Sequence, residues 1–256
     1  EKSLGAGKDT YCISQIAFCY RNLGEYEKAL EYFQKARSLG RNDAWISLEF
    51  GLCYRDQNEY EKALKYFLEA YEKEERYKTD TYLLSNIGKM YDLLGKYENG
   101  EEFLRKSYDL GERDRWINME LGECLTRLGK YEEALKYYLI IINSGELDND
   151  IYKKTWVLSE IAYIYQNIDK YEEAIEYFKK VESLGRKDSW LYANMFNCLK
   201  ALKNNEEALK YSLMLENFEE LKNNINLLSN IANLYEEKQD YKEKLKYLEK
   251  IEKIGI

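Results

Sequence analysis

The sequence predicts an all-α chain of seven helical hairpins, about 14 helices, and three observations carry that reading. A motif recurs at near-constant spacing from one end of the chain to the other. Within each recurrence, apolar residues fall at the i, i+4, i+7 spacing of an amphipathic helix. And among 256 residues there is no proline, so the joints must be built from glycine and polar residues.

The motif is clearest in Glu25-Tyr26-Glu27-Lys28-Ala29-Leu30, which returns as Glu59-Tyr60-Glu61-Lys62-Ala63-Leu64. It returns again as Lys130-Tyr131-Glu132-Glu133-Ala134-Leu135 and Lys170-Tyr171-Glu172-Glu173-Ala174-Ile175, with weaker copies at Lys96-Tyr97, Asn204-Asn205 and Asp240-Tyr241. Steps of 34, 37, 34, 40, 34 and 36 residues separate them, so the unit is 34 residues with short insertions after every second one. The repeats are 10–43, 44–77, 81–114, 115–148, 155–188, 189–222 and 225–256, forming one array. Residues 1–9 read as the remnant of a preceding repeat or an added leader, because Lys2-Ser3-Leu4-Gly5 mimics the repeat ends at Leu39-Gly40 and Leu184-Gly185. The array is therefore expected to be part of a longer one.

Each repeat reads as two helices. Counting from the start of a repeat, positions 3, 7 and 10 are apolar, as in Cys12, Ile16 and Cys19 or Leu83, Ile87 and Met90. This stripe defines the first helix. A break follows at Gly24, Asn58, Gly95 or Gly129, and the Tyr-x-x-Ala-Leu motif opens the second. Gly40, Gly111 and Gly185 suit a left-handed helix end, and Asp43, Asp114 and Asp188 suit the N-cap of the next helix. Position 8 is small in six repeats (Phe196 being the exception) and position 20 is small in six (Lys244 being the exception). Small residues facing one another let two antiparallel helices approach closely.

Composition excludes several function classes. The chain has no histidine, which removes the usual proton shuttle and the commonest metal ligand, and a net charge of -8, which disfavours a nucleic-acid backbone. Five cysteines, odd in number and without a C-x-x-C pair, suit a reducing cytoplasm. Four of them (Cys19, Cys53, Cys124, Cys198) sit at position 10 of the apolar stripe, where they read as core residues. No apolar run approaches the ~20 residues of a membrane span. No catalytic constellation, metal site or cofactor motif emerges, so the expectation is a protein that is not an enzyme and that takes neither.

This pattern resembles the tetratricopeptide repeat family over residues 10–256: the 34-residue period, the small positions 8 and 20, and the aromatic position 11 at Tyr20, Tyr54, Tyr91, Tyr165 and Tyr235 all match. Two features depart from it. The family's proline at the unit end is replaced by the Gly-x-x-Asp joint, and its tryptophan sits two residues earlier. The resemblance implies a right-handed α-solenoid whose first helices line a concave groove.

In that geometry the groove-facing residues carry the functional expectation. Position 2 reads Tyr11, Trp45, Tyr82, Trp116, Trp156 and Trp190, and holds all four tryptophans of the chain. Position 6 is polar throughout, including Glu49, Asn86, Glu120, Glu160 and Asn194, while position 9 supplies Lys89, Glu123 and Asn197. Together these form an aromatic ladder beside a polar row, able to hold alternate side chains of a peptide. The competing reading is that the rings pack between repeats and bind nothing. The family's clamp for chaperone carboxylate tails is missing, since position 5 holds no cation. Glu49, Glu120, Glu123 and Glu160 make the middle acidic, so the expected partner is a protein or peptide with basic residues. A self-associating structural module that stacks end to end, or the peptide-sensing half of a larger regulator, are the alternatives.

Overall fold

The computed structural model describes the backbone of residues 2–255 and the side chains of residues 10–255. The described residues form 14 α-helices and one 3₁₀ turn, without a strand. Through the first four repeats the helices are α1 (Lys2–Asn22), α2 (Tyr26–Ser38), α3 (Ala44–Asp56), α4 (Tyr60–Lys73), α5 (Thr81–Leu93), α6 (Tyr97–Asp109), α7 (Arg115–Arg127) and α8 (Tyr131–Asn143). Then follow α9 (Ile151–Asn167), α10 (Tyr171–Ser183), α11 (Ser189–Ala201), α12 (Asn205–Glu216), α13 (Ile225–Glu237) and α14 (Tyr241–Ile254). The architecture is the all-α helical-repeat solenoid the sequence predicts.

Helix ends follow the local chemistry. Gly40, Gly111 and Gly185 take φ of 97°, 112° and 100°, the left-handed region that ends a helix without a Cβ penalty. Three residues later Asp43, Asp114 and Asp188 accept from the backbone N–H of Ile46, Ile117 and Leu191. The longer joints end the same way, with Asp80, Asp150 and Asn224 capping α5, α9 and α13. The first of these joints is filled by the 3₁₀ turn Glu75–Thr79, whose Tyr77 is buried. Two helices begin before their repeat does. α9 starts at Ile151, and α1 starts at Lys2 and runs through Gly5, where the likeness to the repeat ends predicts a break. The side chains of residues 1–9, proposed as a remnant or leader, lie outside the described residues.

Contacts divide the chain into two compact bodies, residues 1–130 and 131–256. In the first, α1 to α7 pack as successive hairpins, with Phe33, Phe67 and Leu104 on second helices fully buried. Small residues set the close approaches. A Cβ on Gly51 would lie 2.4 Å from the Phe67 ring, and one on Gly88 would lie 2.7 Å from Leu104 and 3.0 Å from the Gly100 carbonyl. In the second body, Phe178, Met195 and Ile231 lie in one core that Phe196 joins despite its size.

Three position-10 cysteines, Cys53, Cys124 and Cys198, are buried as expected, and burial pushes each thiol up to about 12. Cys19 differs: it is exposed together with Cys12, on a stripe of α1 that no second helix among the described residues covers.

Candidate functional site

The candidate site is the face carried by the first helices, and two kinds of contact build it. One is aromatic. Trp45 meets Phe33 edge-on at 6.0 Å, Trp156 meets Tyr138 at 5.9 Å, and Trp190 meets Phe178 at 5.9 Å. In each pair the ring at position 2 of one repeat leans on the ring at position 24 of the repeat before it. These tryptophans are therefore inter-repeat packing, while keeping part of their surface in solvent. Trp116 has Leu104 at the matching position and is 40% exposed. Tyr82 is 51% exposed and Tyr11 is exposed too.

The other contact is polar, and it relocates most of the polar row. Glu49 is buried, and Arg21 Nε of α1 donates to its Oε2 at 2.7 Å. Burial holds the Glu49 carboxyl above the ordinary carboxylate range, with Arg21 opposing. Asn86 is buried; its Oδ1 accepts from Arg55 Nη1 at 2.7 Å and its Nδ2 donates to the Tyr82 carbonyl. In the second body, Lys200 Nζ donates to Asn230 at 2.8 Å between exposed side chains, and Asn194 Nδ2 donates to the Trp190 carbonyl. Arg21, Arg55 and Lys200 all occupy position 12, and each reaches position 6 of the following repeat. The polar row is thus largely a series of clasps between first helices.

At α5–α7 the clasp is inverted. Position 12 is Asp92, a buried acid, and it accepts from Arg127 of α7. Glu120, also buried, pairs with Lys89 at 2.6 Å; Lys89 reaches Glu123 at 3.2 Å, and Arg127 lies 3.6 Å from Glu123. Burial pushes the Glu120 carboxyl up to about 7, Lys89 lowering it and the nearby acids Glu123 and Asp92 adding to the rise. Burial pulls the Lys89 ammonium down, yet Glu120 and Glu123 outweigh it and leave it raised. Oxygens of Asp92, Glu120 and Glu123 come within 4.8 Å of one another, a spacing that suits a cation, and Lys89 and Arg127 already supply two.

Besides the hollow lined by Tyr11, Leu39 and Arg41, two more are open in the first body. One, of about 360 Å³, is lined by Tyr82, Trp116, Ser85, Asn86, Arg55, Glu112 and Asp114. The other, of about 490 Å³, lies among Gln15, Phe18, Trp45, Tyr77, Arg41, Arg76 and Asp43, with the Arg41 guanidinium 4.7 Å from the Trp45 ring centre. Among the predicted residues, Tyr82, Asn86 and Trp116 thus share one hollow, Trp45 lines the other, and Lys89, Glu120 and Glu123 form the network. Glu49 is set apart with Arg21. In the second body Trp156, Glu160 and Asn194 are half-buried and Trp190 and Asn197 exposed. The sequence reading missed position 12, Arg76 and Glu112, whose chemistry is not constant along the chain, and Arg41, which recurs as Arg186 inside the Gly-x-x-Asp joint.

Tetratricopeptide repeat family models match residues 9–73, 82–111, 119–149 and 157–188. No curated protein matches the chain. Among solved structures, the C-terminal part of a TPR repeat-containing protein from Cytophaga hutchinsonii is 19% identical with a TM-score of 0.71, covering 93% of each chain. YrrB, described as a TPR protein with an unusual peptide-binding site, is 20% identical with a TM-score of 0.61, over 73% of this chain and 92% of its own. PilF of Pseudomonas aeruginosa is 18% identical with a TM-score of 0.56, over 83% of this chain and 92% of its own. At these identities the structures establish the fold alone. Helical hairpins with small residues at their crossings, matched by the family's models over residues 9–73, 82–111, 119–149 and 157–188, make this chain a member of the tetratricopeptide repeat family.

Proposed function

We propose that the chain is a non-enzymatic scaffold that binds a protein or peptide on the face of its first helices. The observation that carries this reading is the hollow between Tyr82 and Trp116. It combines two half-exposed rings with Asn86, Ser85, Glu112 and Asp114, an apolar wall with a few oriented polar groups at its rim. The family is one of protein-interaction repeats, and YrrB, a fold neighbour, carries a peptide-binding site. Glu49, Glu120 and Glu123 are paired with Arg21, Lys89 and Arg127, so the acids at the hollow are Glu112 and Asp114. They favour a ligand carrying lysine or arginine next to an apolar side chain. No helix among the described residues is long and apolar enough to cross a membrane, and the five cysteines are unpaired, which supports a cytoplasmic setting.

The test is selection from a displayed peptide library, followed by titration of the enriched peptides against the protein and a Tyr82→Ala, Trp116→Ala variant. Enrichment of basic-apolar sequences that lose at least tenfold in affinity on the variant is expected. Peptides that bind both proteins equally, or acidic peptides that bind as well as basic ones of matched length, overturn the reading.

A further inference from the structure

We infer that the hollow between Tyr82 and Trp116 is a socket for an arginine side chain of the partner, left open because Glu112 stands where two equivalent joints carry an arginine of their own. This rests on the proposed use of the hollow as the ligand site, and it narrows the ligand's basic group to a guanidinium.

The chain has three Gly-x-x-Asp joints: Gly40-Arg41-Asn42-Asp43, Gly111-Glu112-Arg113-Asp114 and Gly185-Arg186-Lys187-Asp188. In the first and third, the arginine makes the same three contacts. Its Nε donates to the second oxygen of the capping aspartate, Arg41 to Asp43 Oδ2 at 3.0 Å and Arg186 to Asp188 Oδ2 at 2.8 Å. Its Nη1 donates to the serine at position 5 of the same repeat, Arg41 to Ser14 Oγ and Arg186 to Ser159 Oγ, the latter at 3.0 Å. Its guanidinium lies over the tryptophan of the next repeat, 4.7 Å from the ring centre of Trp45 and 4.4 Å from that of Trp190. Arg41 also stands 5.9 Å from the Tyr11 ring.

The middle joint keeps all of these partners and lacks the arginine. Ser85 holds position 5, Asp114 is the cap, Trp116 opens the next repeat, and Tyr82 is the counterpart of Tyr11. These four line the hollow of about 360 Å³. Their remaining bonds are those of their counterparts. Ser85 Oγ donates to the Thr81 carbonyl as Ser159 Oγ does to that of Thr155, and Asp114 Oδ1 accepts from the Ile117 N–H as Asp43 Oδ1 does from that of Ile46. Among the described residues, no cation pairs with Asp114 or stands over the Trp116 ring. Glu112 is held at the wall of the hollow by Thr81 Oγ1, which donates to its Oε2 at 3.1 Å. Arg55, the cation in the lining, is engaged by Asp56 and by Asn86, each at 2.7 Å. A guanidinium entering here meets two carboxylates, a serine acceptor and the face of an indole, an arrangement that a planar fork fills and a lysine ammonium meets only as a point charge.

The probes that test this are Nα-acetyl-arginine amide, Nα-acetyl-lysine amide and Nα-acetyl-citrulline amide. Each is titrated into isotope-labelled protein while NMR follows the Trp116 indole N–H, assigned with Trp116→Phe. The arginine amide is expected to shift that signal saturably and to bind about tenfold more tightly than the lysine amide, with neutral citrulline weaker still. Glu112→Arg gives the joint the residue that its two counterparts carry. It is expected to move the unliganded Trp116 signal toward its bound position and to abolish arginine binding, circular dichroism confirming the fold. Asp114→Asn keeps a capping side chain and removes the charge, and is expected to weaken arginine binding about two- to fivefold. Equal binding of the lysine and arginine amides, or arginine binding that survives Glu112→Arg unchanged, overturns the socket and leaves the basic-peptide reading standing. Absence of a Trp116 shift with every probe overturns it as well. An arginine-specific shift at Trp116 without enrichment of any displayed peptide supports the socket and counts against the scaffold reading alone.

Discussion

The α1–α3 and α5–α7 clasps join equivalent helices by opposite means. In the first, position 12 is a cation, Arg21, aimed at the buried Glu49, and one pair closes the contact. In the second, position 12 is Asp92, which adds a buried carboxylate beside Glu120 where the first clasp has a counter-charge. Lys89 and Arg127 are recruited from other positions to hold three acids, and Glu120 is left with a carboxyl that releases its proton only near neutrality. A one-residue change of sign thus turns a simple pair into a network whose strength depends on pH.

Removing the hub of that network is expected to have the largest effect. Lys89→Met leaves Glu120 without a counter-charge and Glu123 with Arg127 alone, and unpairing a buried charge costs about 3–5 kcal/mol. At pH 8 chemical denaturation should show a loss at the lower end of that range, about 3 kcal/mol. At pH 5 Glu120 can hold its proton and the loss should be smaller. A loss equal at both values would mean that Glu120 does not titrate in this window.

Arg21→Ala comes next. It strips the single partner from Glu49, which is already held above the usual carboxylate range by burial. A loss of about 2 kcal/mol is expected at pH 8, below that of Lys89→Met because one acid rather than two loses its cation. If the two variants lose equally, the extra carboxylates of the α5–α7 network contribute nothing.

The repeats, joints and close helix crossings were legible because each is carried by residues that recur at fixed positions: Gly40 with Asp43, Gly111 with Asp114, Ala29 with Ala63. The clasps were not, because position 12 runs Arg21, Arg55, Asp92, Thr126, Gln166, Lys200 and Glu236, with no shared chemistry to mark it. Reading position 6 as groove lining followed from its constant polarity, whereas Glu49, Asn86, Glu120 and Asn230 each meet a cation from a neighbouring first helix. The aromatic packing did leave a signal. Phe33 precedes Trp45, and Phe178 precedes Trp190, by the same twelve residues, and a ring matched to a ring at fixed spacing marks contact between repeats. Cys19 departs from the expectation because periodicity treats every repeat alike, whereas no second helix among the described residues covers the stripe of α1.

Glu120→Gln separates titration from packing. The folded carboxyl near 7 lies above its ordinary value of 4.5, so the folded state binds the proton more tightly than the unfolded one. That preference stabilises fully below about 4.5 and is lost as pH rises through 7. Wild-type stability should therefore fall between pH 5 and 8 by about 2–3 kcal/mol from this group, with Glu49 adding in the same direction. In the variant the fall should shrink by that amount, while stability at pH 5 changes little. An unchanged slope would assign the pH dependence elsewhere.

The smallest effect belongs to the clasp that shares its positions with Arg21–Glu49 and none of its burial. Lys200 and Asn230 meet between α11 and α13 with both side chains open to water, and the acceptor is a neutral amide. Solvent replaces the bond when it breaks, so Lys200→Ala should change stability by no more than about 0.5 kcal/mol and show no slope between pH 5 and 8. The position pair itself would then contribute little, and the gradation from Lys200 through Arg21 to Lys89 would follow how much carboxylate each cation keeps out of water. A loss above about 1.5 kcal/mol at Lys200 would instead make the position-12 to position-6 bond a requirement of the fold, independent of charge and burial.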